Sequence, residues 1–381
     1  MTAAQLEIQL VAVVVAVACA IPGVFLVLRR MALMSDAIGH TVLLGIVLAF
    51  FIQGDLDSPL LAVGAALVGL LTALMVEMLR RTGLVREDAA IGLVFPLLFS
   101  IAVILISRYA GDVHLDTDAV LLGELAFAPF NRFELVGLDF GPRALVQMGT
   151  VLLVNVMLVA LFYKELKIAT FDPALAAALG LAPGVVHALL MTSVSITALG
   201  AFDAVGSILV VGLMIGPPTT AYLLTEELWG MLWLSGVIGA LAAIGGYWLA
   251  FALDASIAGS IATTIGAIFA IVLALAPSHG LIAAAHRRSR LRRSLAHAIL
   301  VAHLDGDARG SSVSRLGGGL GWSEQFTQRI VLGAERAGLV ARLSDDLVLT
   351  PRGRSLAQRR SLHEHEYAGD ETLRQAPPAS G

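Results

Sequence analysis

The chain has 381 residues, 57% of them hydrophobic and 14% charged, with a formal net charge of −4. Soluble domains carry about a quarter charged residues, so this composition, with a mean hydropathy of +0.85, excludes a soluble globular protein and indicates an integral membrane protein. Cys19 is the only cysteine, which excludes an intrachain disulfide and a thiolate metal cluster; aromatic residues, at 6%, are too few for a platform that stacks sugars or nucleobases.

The apolar runs are long enough to cross a bilayer as helices, which takes about 20 residues. They lack the alternation of a membrane barrel strand. The fold class is therefore all-α polytopic. The first run has no basic segment before it and only a weak cleavage signal, so it reads as a retained helix. Spans are expected at about 6–28, 35–53, 59–79, 89–107, 144–163, 184–200, 204–224, 229–252 and 257–276. The sixth is short and rich in Ser and Thr. The seventh holds Gly212, Gly216, Pro217 and Pro218. Both are expected to be broken or tilted around a cavity, and eight spans result if one of them is re-entrant.

Basic residues set the orientation. Arg29 and Arg30, then Arg80, Arg81 and Arg86, then Lys164 and Lys167 fall in alternate loops. The intervening loops carry Asp55, Asp57, Asp112, Asp116, Asp118 and Asp254. The basic loops are read as cytoplasmic, which places the N-terminus outside and the C-terminal tail inside. Residues 1–280 form the transmembrane domain.

Composition changes after Pro277. HRRSRLRRSLAHAIL is a basic helix rather than a span. Two further helical stretches follow, then the strand pair VARLSDDLVLT and a polar helix from about Arg352. Ile330, Val331, Ala334, Leu339 and Val340 are spaced to pack one helix face into a small core. Residues 287–367 read as a small cytoplasmic α+β domain of winged-helix type, and 368–381 as a disordered tail.

The chemistry-bearing feature is in the second span, RRMALMSDAIGHTVLLGIVLAF, Arg29 to Phe50. Asp36 and His40 stand four residues apart, on one face of a helix and close enough to share a ligand. Carboxylate plus imidazole suits Mn²⁺, Fe²⁺ or Zn²⁺. The same residues also fit a structural role, with Ser35 or Asp36 capping the helix and His40 packed against a neighbour. Ionisable residues inside a span favour function, although a helix end lowers their cost.

These residues carry a resemblance. RRMALMSDAIGHTVLLGIVLAF resembles the second-helix signature of the ABC-type permeases for zinc, manganese and iron. LRRTGLVREDAAIGLVF is similar to that family's next loop and helix. AGDVHLDTDAVLLGELAF is similar to the outer loop of its manganese/iron branch. FDPALAAALGL resembles its coupling segment, and AFDAVGSILVVGLMIGPPTTAYLLT its seventh span. The resemblance implies the membrane-spanning subunit of an importer, in the bacterial plasma (inner) membrane, for manganese or iron ahead of zinc. It implies that Asp36 and His40 hold the ion in transit. Two departures stand out: Gly39 where the family often has Ser, and Leu44 where it often has Pro, whose loss removes a kink.

No Walker A run is present. LGGGLGW, from Leu316, lacks the Gly-Lys-Ser/Thr ending and reads as a loop before a helix. ATP hydrolysis is therefore expected on a separate nucleotide-binding subunit, and the chain is not expected to be an enzyme. FDPALAAALGL reads as a short helix with Asp172 near its start and Gly180 at its end. It could simply join two spans, but the resemblance favours docking on that subunit, through Phe171, Asp172, Ala176 and Gly180.

On the outer side, His114, Asp116, Asp118 and Asp203 are candidates for a vestibule that receives the ion. The loop residues could equally be a solvated acidic loop, and Asp203, at the start of the seventh span, an N-cap. His187 is expected to be packed, and Glu77 paired with Arg80 or Arg81. The tail resembles the winged-helix module of iron-dependent metal repressors. LHEHEY, Leu362 to Tyr367, is metal-like in composition, but its spacing gives His363 and His365 no assignment. Contact with the ATPase subunit is preferred over nucleic acid as the role of this module. Expected partners are the nucleotide-binding subunit, an extracytoplasmic metal-binding protein, a second permease and the lipid bilayer. No permanently bound cofactor is expected. A membrane-bound metal sensor is the alternative reading, and an intramembrane metalloenzyme is disfavoured by the lack of an HExxH pair.

Overall fold

The computed structural model describes residues 2–54, 58–109, 125–135, 138–276, 280–306, 311–343, 346–355 and 357. His114, Asp116, Asp118, the LHEHEY run and the tail 368–381 lie outside the described residues. The chain divides into two compact units, Met1–Leu281 and Ile282–Gly381.

The first unit begins with α1 (Ala3–Leu28), α2 (Met34–Gln53), α3 (Pro59–Arg81) and α4 (Glu87–Tyr109). A 3₁₀ turn at Leu125–Phe130 and an antiparallel hairpin, β1 (Arg132–Leu135) with β2 (Leu138–Pro142), follow. Then come α5 (Arg143–Leu161), α6 (Tyr163–Phe171), α7 (Pro173–Ala178), α8 (Pro183–Val205), α9 (Ser207–Leu224), α10 (Leu228–Leu253) and α11 (Ile257–Leu275). Among the described residues, nine helices are long and apolar enough to cross a membrane: α1 to α5 and α8 to α11.

The most apolar helix, α1, sits at the centre, packed by α5, α8, α9 and α10. Val11, Val15, Ala16, Cys19, Val24 and Phe25 are fully enclosed. In hydrocarbon, apolar side chains gain nothing by leaving lipid for protein, so close approach and hydrogen bonds hold helices together. Both devices are present. A Cβ on Gly23 would strike the Met214 carbonyl of α9, one on Gly246 the backbone of Ile261 in α11, and one on Gly45 the Gly64 carbonyl of α3. Buried Asn155 of α5 donates to the Ala18 carbonyl of α1 at 3.1 Å and to Thr197 Oγ1 of α8 at 2.8 Å. Ser193 donates to Asn155 Oδ1 at 2.7 Å. One polar knot thus joins three spans.

The sixth and seventh spans differ from expectation. α8 runs on to Val205 rather than ending near residue 200. Its hydroxyls do not interrupt it, because Thr192 and Thr197 donate back to the Ala188 and Ser193 carbonyls one turn earlier. The break comes at Gly206, whose φ of 80° and ψ of 162° suit glycine alone. α9 is one continuous helix through Pro217 and Pro218. Asp203 consequently belongs to the last turn of the sixth span, not the start of the seventh, and is exposed; the α9 N-cap is Gly206.

The second unit contains α12 (Leu281–Gly306), β3 (Ser311–Ser312), α13 (Val313–Leu320), α14 (Glu324–Arg336), β4 (Val340–Leu343) and β5 (Asp346–Leu349). The sheet is antiparallel in the order β3-β5-β4, with Val340 opposite Leu349. Leu300, Val301, Leu316, Ile330, Val331, Ala334 and Leu347 form its core. The expected face of α14 does pack inward. The glycine run from Leu316 is helical rather than a loop: α13 includes it and stops before Gly321, at φ 65°.

Gly45→Val forces a side chain onto a backbone carbonyl that cannot rotate away. Overpacking of this kind costs about 1–3 kcal/mol. The variant should unfold at a lower temperature in detergent than the wild type. Gly92→Ala, with open space at its Cβ, should unfold no earlier than the wild type.

Candidate metal path

α2 starts at Met34, and its N-cap, Leu33, makes no side-chain cap bond. Ser35 instead donates to the Ala32 carbonyl at 3.0 Å. Neither Ser35 nor Asp36 is the cap, so the capping account of these residues does not hold. Asp36 stands in the first turn of the helix, where the N-terminal dipole favours a carboxylate.

His40 Nε2 lies 3.5 Å from Asp36 Oδ1. That is longer than a strong charge-assisted hydrogen bond, at about 2.7–2.9 Å. It is close to the spacing of two ligands on one ion: with bonds of about 2.1 Å and angles of about 90–110°, donor atoms stand about 3.0–3.4 Å apart. The pair is open to an ion, with side-chain exposures of 45% for Asp36 and 28% for His40. The ring is held from α4, with its centroid 5.2 Å from Phe95 and 5.8 Å from Phe99 in an edge-on contact. That aromatic pair, four residues apart in LVFPLLF, was not singled out in the sequence, although its spacing marks a helix face.

The other sides of α2 are fixed. Thr72 of α3 donates to Thr41 Oγ1 at 2.8 Å. Gly39 faces the Phe202 ring of α8, and a Cβ there would overlap the ring. This accounts for the departure at Gly39: a serine would compete with Phe202 for one volume. Leu44 is buried within an unbroken α2.

A second polar cluster lies at the arginine-bearing end of the spans. Arg29, directly after α1, approaches Thr170 Oγ1 of α6 at 3.2 Å through Nε and His187 Nδ1 of α8 at 3.1 Å through Nη1. Burial pushes its pKa down, opposed by the Glu77 carboxylate, but an arginine keeps its charge. Glu77 accepts from Arg80 at 2.8 and 2.9 Å and from Arg81 at 2.8 Å. His187 is thus packed, as expected, but packed against a cation. The sequence alone did not bring Arg29, Thr170 and His187 together, since 141 and 158 residues separate Arg29 from the other two.

The FDPALAAALGL segment forms α7. Asp172 caps it, accepting from the Leu175 N–H at 2.9 Å, Pro173 opens it, and Gly180 follows at φ 78°. Ala176 is fully buried and turns inward, away from any docking face. Leu175 and Leu179, one turn apart, are exposed on the α7 segment, as is Phe171 at the end of α6, which the Asp172 cap separates from α7. No group of three or more His, Cys, Asp or Glu side chains able to hold a metal occurs among the described residues.

Nine apolar helices among the described residues, with a carboxylate–imidazole pair on α2, have the architecture of a transport permease. The chain matches the ABC 3 transport family over residues 4–276 and belongs to it. It is 48% identical to the zinc transport system membrane protein TroD of Treponema pallidum over 363 residues, 93% of this chain and 98% of that one. It is 48% identical to the manganese transport system membrane protein MntD of Bacillus subtilis over 270 residues, 71% of this chain and 91% of that one. Among solved structures it resembles PsaBC from Streptococcus pneumoniae in complex with Fab, with a TM-score of 0.60, 30% identity and coverage of 73% of this chain and 94% of that one.

Gly39→Ser should lower the unfolding temperature in the wild-type background and be nearly neutral alongside Phe202→Ala. The coupling read from the four-member cycle should fall at about 0.5–3 kcal/mol, the range for residues in contact. A coupling near zero would show that Phe202 does not exclude the serine.

Proposed function

We propose that the chain is the membrane-spanning subunit of an ATP-driven importer of divalent transition metal ions, and that Asp36 and His40 hold the ion in transit. The carrying observation is the 3.5 Å separation of a carboxylate oxygen and an imidazole nitrogen on one face of a membrane-spanning helix. Carboxylate and imidazole together suit Mn²⁺, Fe²⁺ and Zn²⁺. The relatives' names point the same way: TroD is a zinc protein, MntD a manganese protein, and YfeC of Yersinia pestis a chelated iron transport system membrane protein.

Two ligands do not complete a tetrahedral or octahedral shell. A second permease, identical or paralogous, supplies the other half across a shared path. The arginine-bearing loops face the cytoplasm of a bacterial cell, following the bias of basic residues. An extracytoplasmic metal-binding protein delivers the ion on the opposite side, where His114, Asp116, Asp118 and Asp203 form the receiving vestibule. A nucleotide-binding subunit hydrolyses ATP and docks at α7, through the exposed Leu175 and Leu179 and Phe171 just before its cap. The second unit is of winged-helix type, as its order of helices and hairpin suggests, and acts on the transporter rather than on nucleic acid.

Uptake of radioactive Mn²⁺ and Zn²⁺ by cells expressing all subunits tests the path. Asp36→Ala and His40→Ala should each lose far more than the 10–100-fold typical of changes around a ligand, at equal membrane levels. Wild-type uptake by both variants would remove the pair from the path. Leu175→Asp should release the ATP-binding subunit on co-purification while leaving the permease folded. Retention of that subunit would place the docking face elsewhere.

A further inference from the structure

α12 has two apolar faces. One, formed by Ala296, Leu300, Val301 and Leu304, is buried in the core of the second unit. Leu291, Leu295 and Ile299 lie four residues apart on the opposite side of the helix, with exposures of 61%, 44% and 44%. The N-terminal half of the same helix carries five arginines within the seven residues 287–293, and no acidic residue occurs from Leu281 to Leu304. Arg288, Arg290 and Arg292 are exposed. Helical spacing sets Arg288 and Arg292 beside the Leu291–Leu295–Ile299 stripe. Only five residues, 276–280, separate this helix from the end of the last span at Leu275. The helix is therefore tethered within reach of the bilayer surface.

We propose that the exposed face of α12 docks on the anionic lipid headgroups of the membrane that the spans cross. The stripe enters the headgroup boundary and the arginines pair with lipid phosphates. A basic helix with an apolar face is the form that lies in a membrane interface. Anionic lipid is the occupant with the complementary charge, and it is held close by the tether. The reading rests on the proposed cytoplasmic placement of the second unit only for which leaflet is met.

The test uses the full chain with Cys19→Ala, which removes the only native thiol, and a nitroxide attached at Leu295→Cys or Leu291→Cys. A label at Leu343→Cys, exposed on β4, serves as a reference. The protein is reconstituted into phosphatidylcholine vesicles with and without phosphatidylglycerol. Accessibility to oxygen and to a water-soluble nickel complex is then read. With phosphatidylglycerol, the labels at 291 and 295 should gain oxygen and lose nickel accessibility, while the label at 343 stays aqueous. Added salt should weaken the shift, since surface charge is screened. Arg288→Gln and Arg292→Gln combined should weaken docking roughly twenty-five-fold, at about fivefold per charge.

Labels at 291 and 295 that stay aqueous with phosphatidylglycerol overturn the proposal. So does equal shielding in phosphatidylcholine alone, which would leave no role for the anionic headgroup. Spin–spin broadening that vanishes on dilution with unlabelled chain would assign the stripe to a second copy, again overturning it. The leaflet is tested separately, by a membrane-impermeant maleimide on Leu343→Cys in intact cells. Labelling there would refute the cytoplasmic placement while leaving the vesicle result standing.

Discussion

The cost of keeping a carboxylate and an imidazole within a membrane-spanning helix governs how the region around α2 is packed. An ionised group at the centre of a span costs about 2.5–3.5 kcal/mol on insertion scales. The chain lessens this cost for Asp36 by placing it in the first turn of α2, at the positive end of the helix dipole. His40 lies one turn deeper and rests its ring on Phe95 and Phe99. Neither contact takes a carboxylate oxygen of Asp36 or Nε2 of His40, which stand 3.5 Å apart and part-exposed. On its other sides α2 meets Gly64 and Thr72 of α3 and Phe202 of α8. Gly45 against Gly64, Gly39 against Phe202, and Thr41 against Thr72 fix the rotation of the helix that aims the polar pair.

The Arg29 cluster places a polar tie where the helix carrying the pair begins. Arg29 ends α1 and precedes α2 by a short turn closed by the Met31 N–H on the Leu26 carbonyl at 2.8 Å. Its guanidinium reaches Thr170, two residues before the cap of α7, and His187 at the foot of α8. α7 therefore does not hang free between spans: its buried Ala176 and this hydrogen-bonded junction tie it to the bundle. On the proposed docking of the ATP-binding subunit at Leu175 and Leu179, a helix anchored inward in this way suits the passing of force toward α2.

Most of the fold was legible because lipid leaves a long apolar run few alternatives. The edges of α1 to α5, α10 and α11 lie within a few residues of expectation for that reason. The sixth span was misjudged because its hydroxyls looked like loop chemistry, whereas inside a bilayer Thr192 and Thr197 can satisfy themselves on their own helix. The glycine that ends it, Gly206, could not be told from Gly200 without knowing that Met148 packs against the latter. Asp36 and His40 could be paired from spacing, since four residues is one helical turn. Phe95, Phe99 and the Arg29 cluster could not, because they are contacts between helices. Asn155 did carry a signal that went unread: a lone amide in LLVNVMLVAL is expensive in hydrocarbon unless bonded, and it proves to be the centre of a three-helix knot.

The openness of the Asp36–His40 pair also bears on affinity. A structural metal site is closed, with four protein ligands and a fixed geometry. Among the described residues no such cluster forms within this chain. Two ligands offered from one helix bind an ion weakly, and the missing ligands must come from water or from another chain. For an enzyme that retains its metal this would be a defect. For a path it is a requirement, since an ion that binds tightly at one point cannot proceed. On the proposed sharing of the shell between two permeases, a small rigid shift of one α2 against the other dismantles the whole shell at once. On the same proposal the stiffness of α2, locked by glycine contacts on α3 and by Phe202 on α8, serves transport, because a helix that moves as one body carries Asp36 and His40 together.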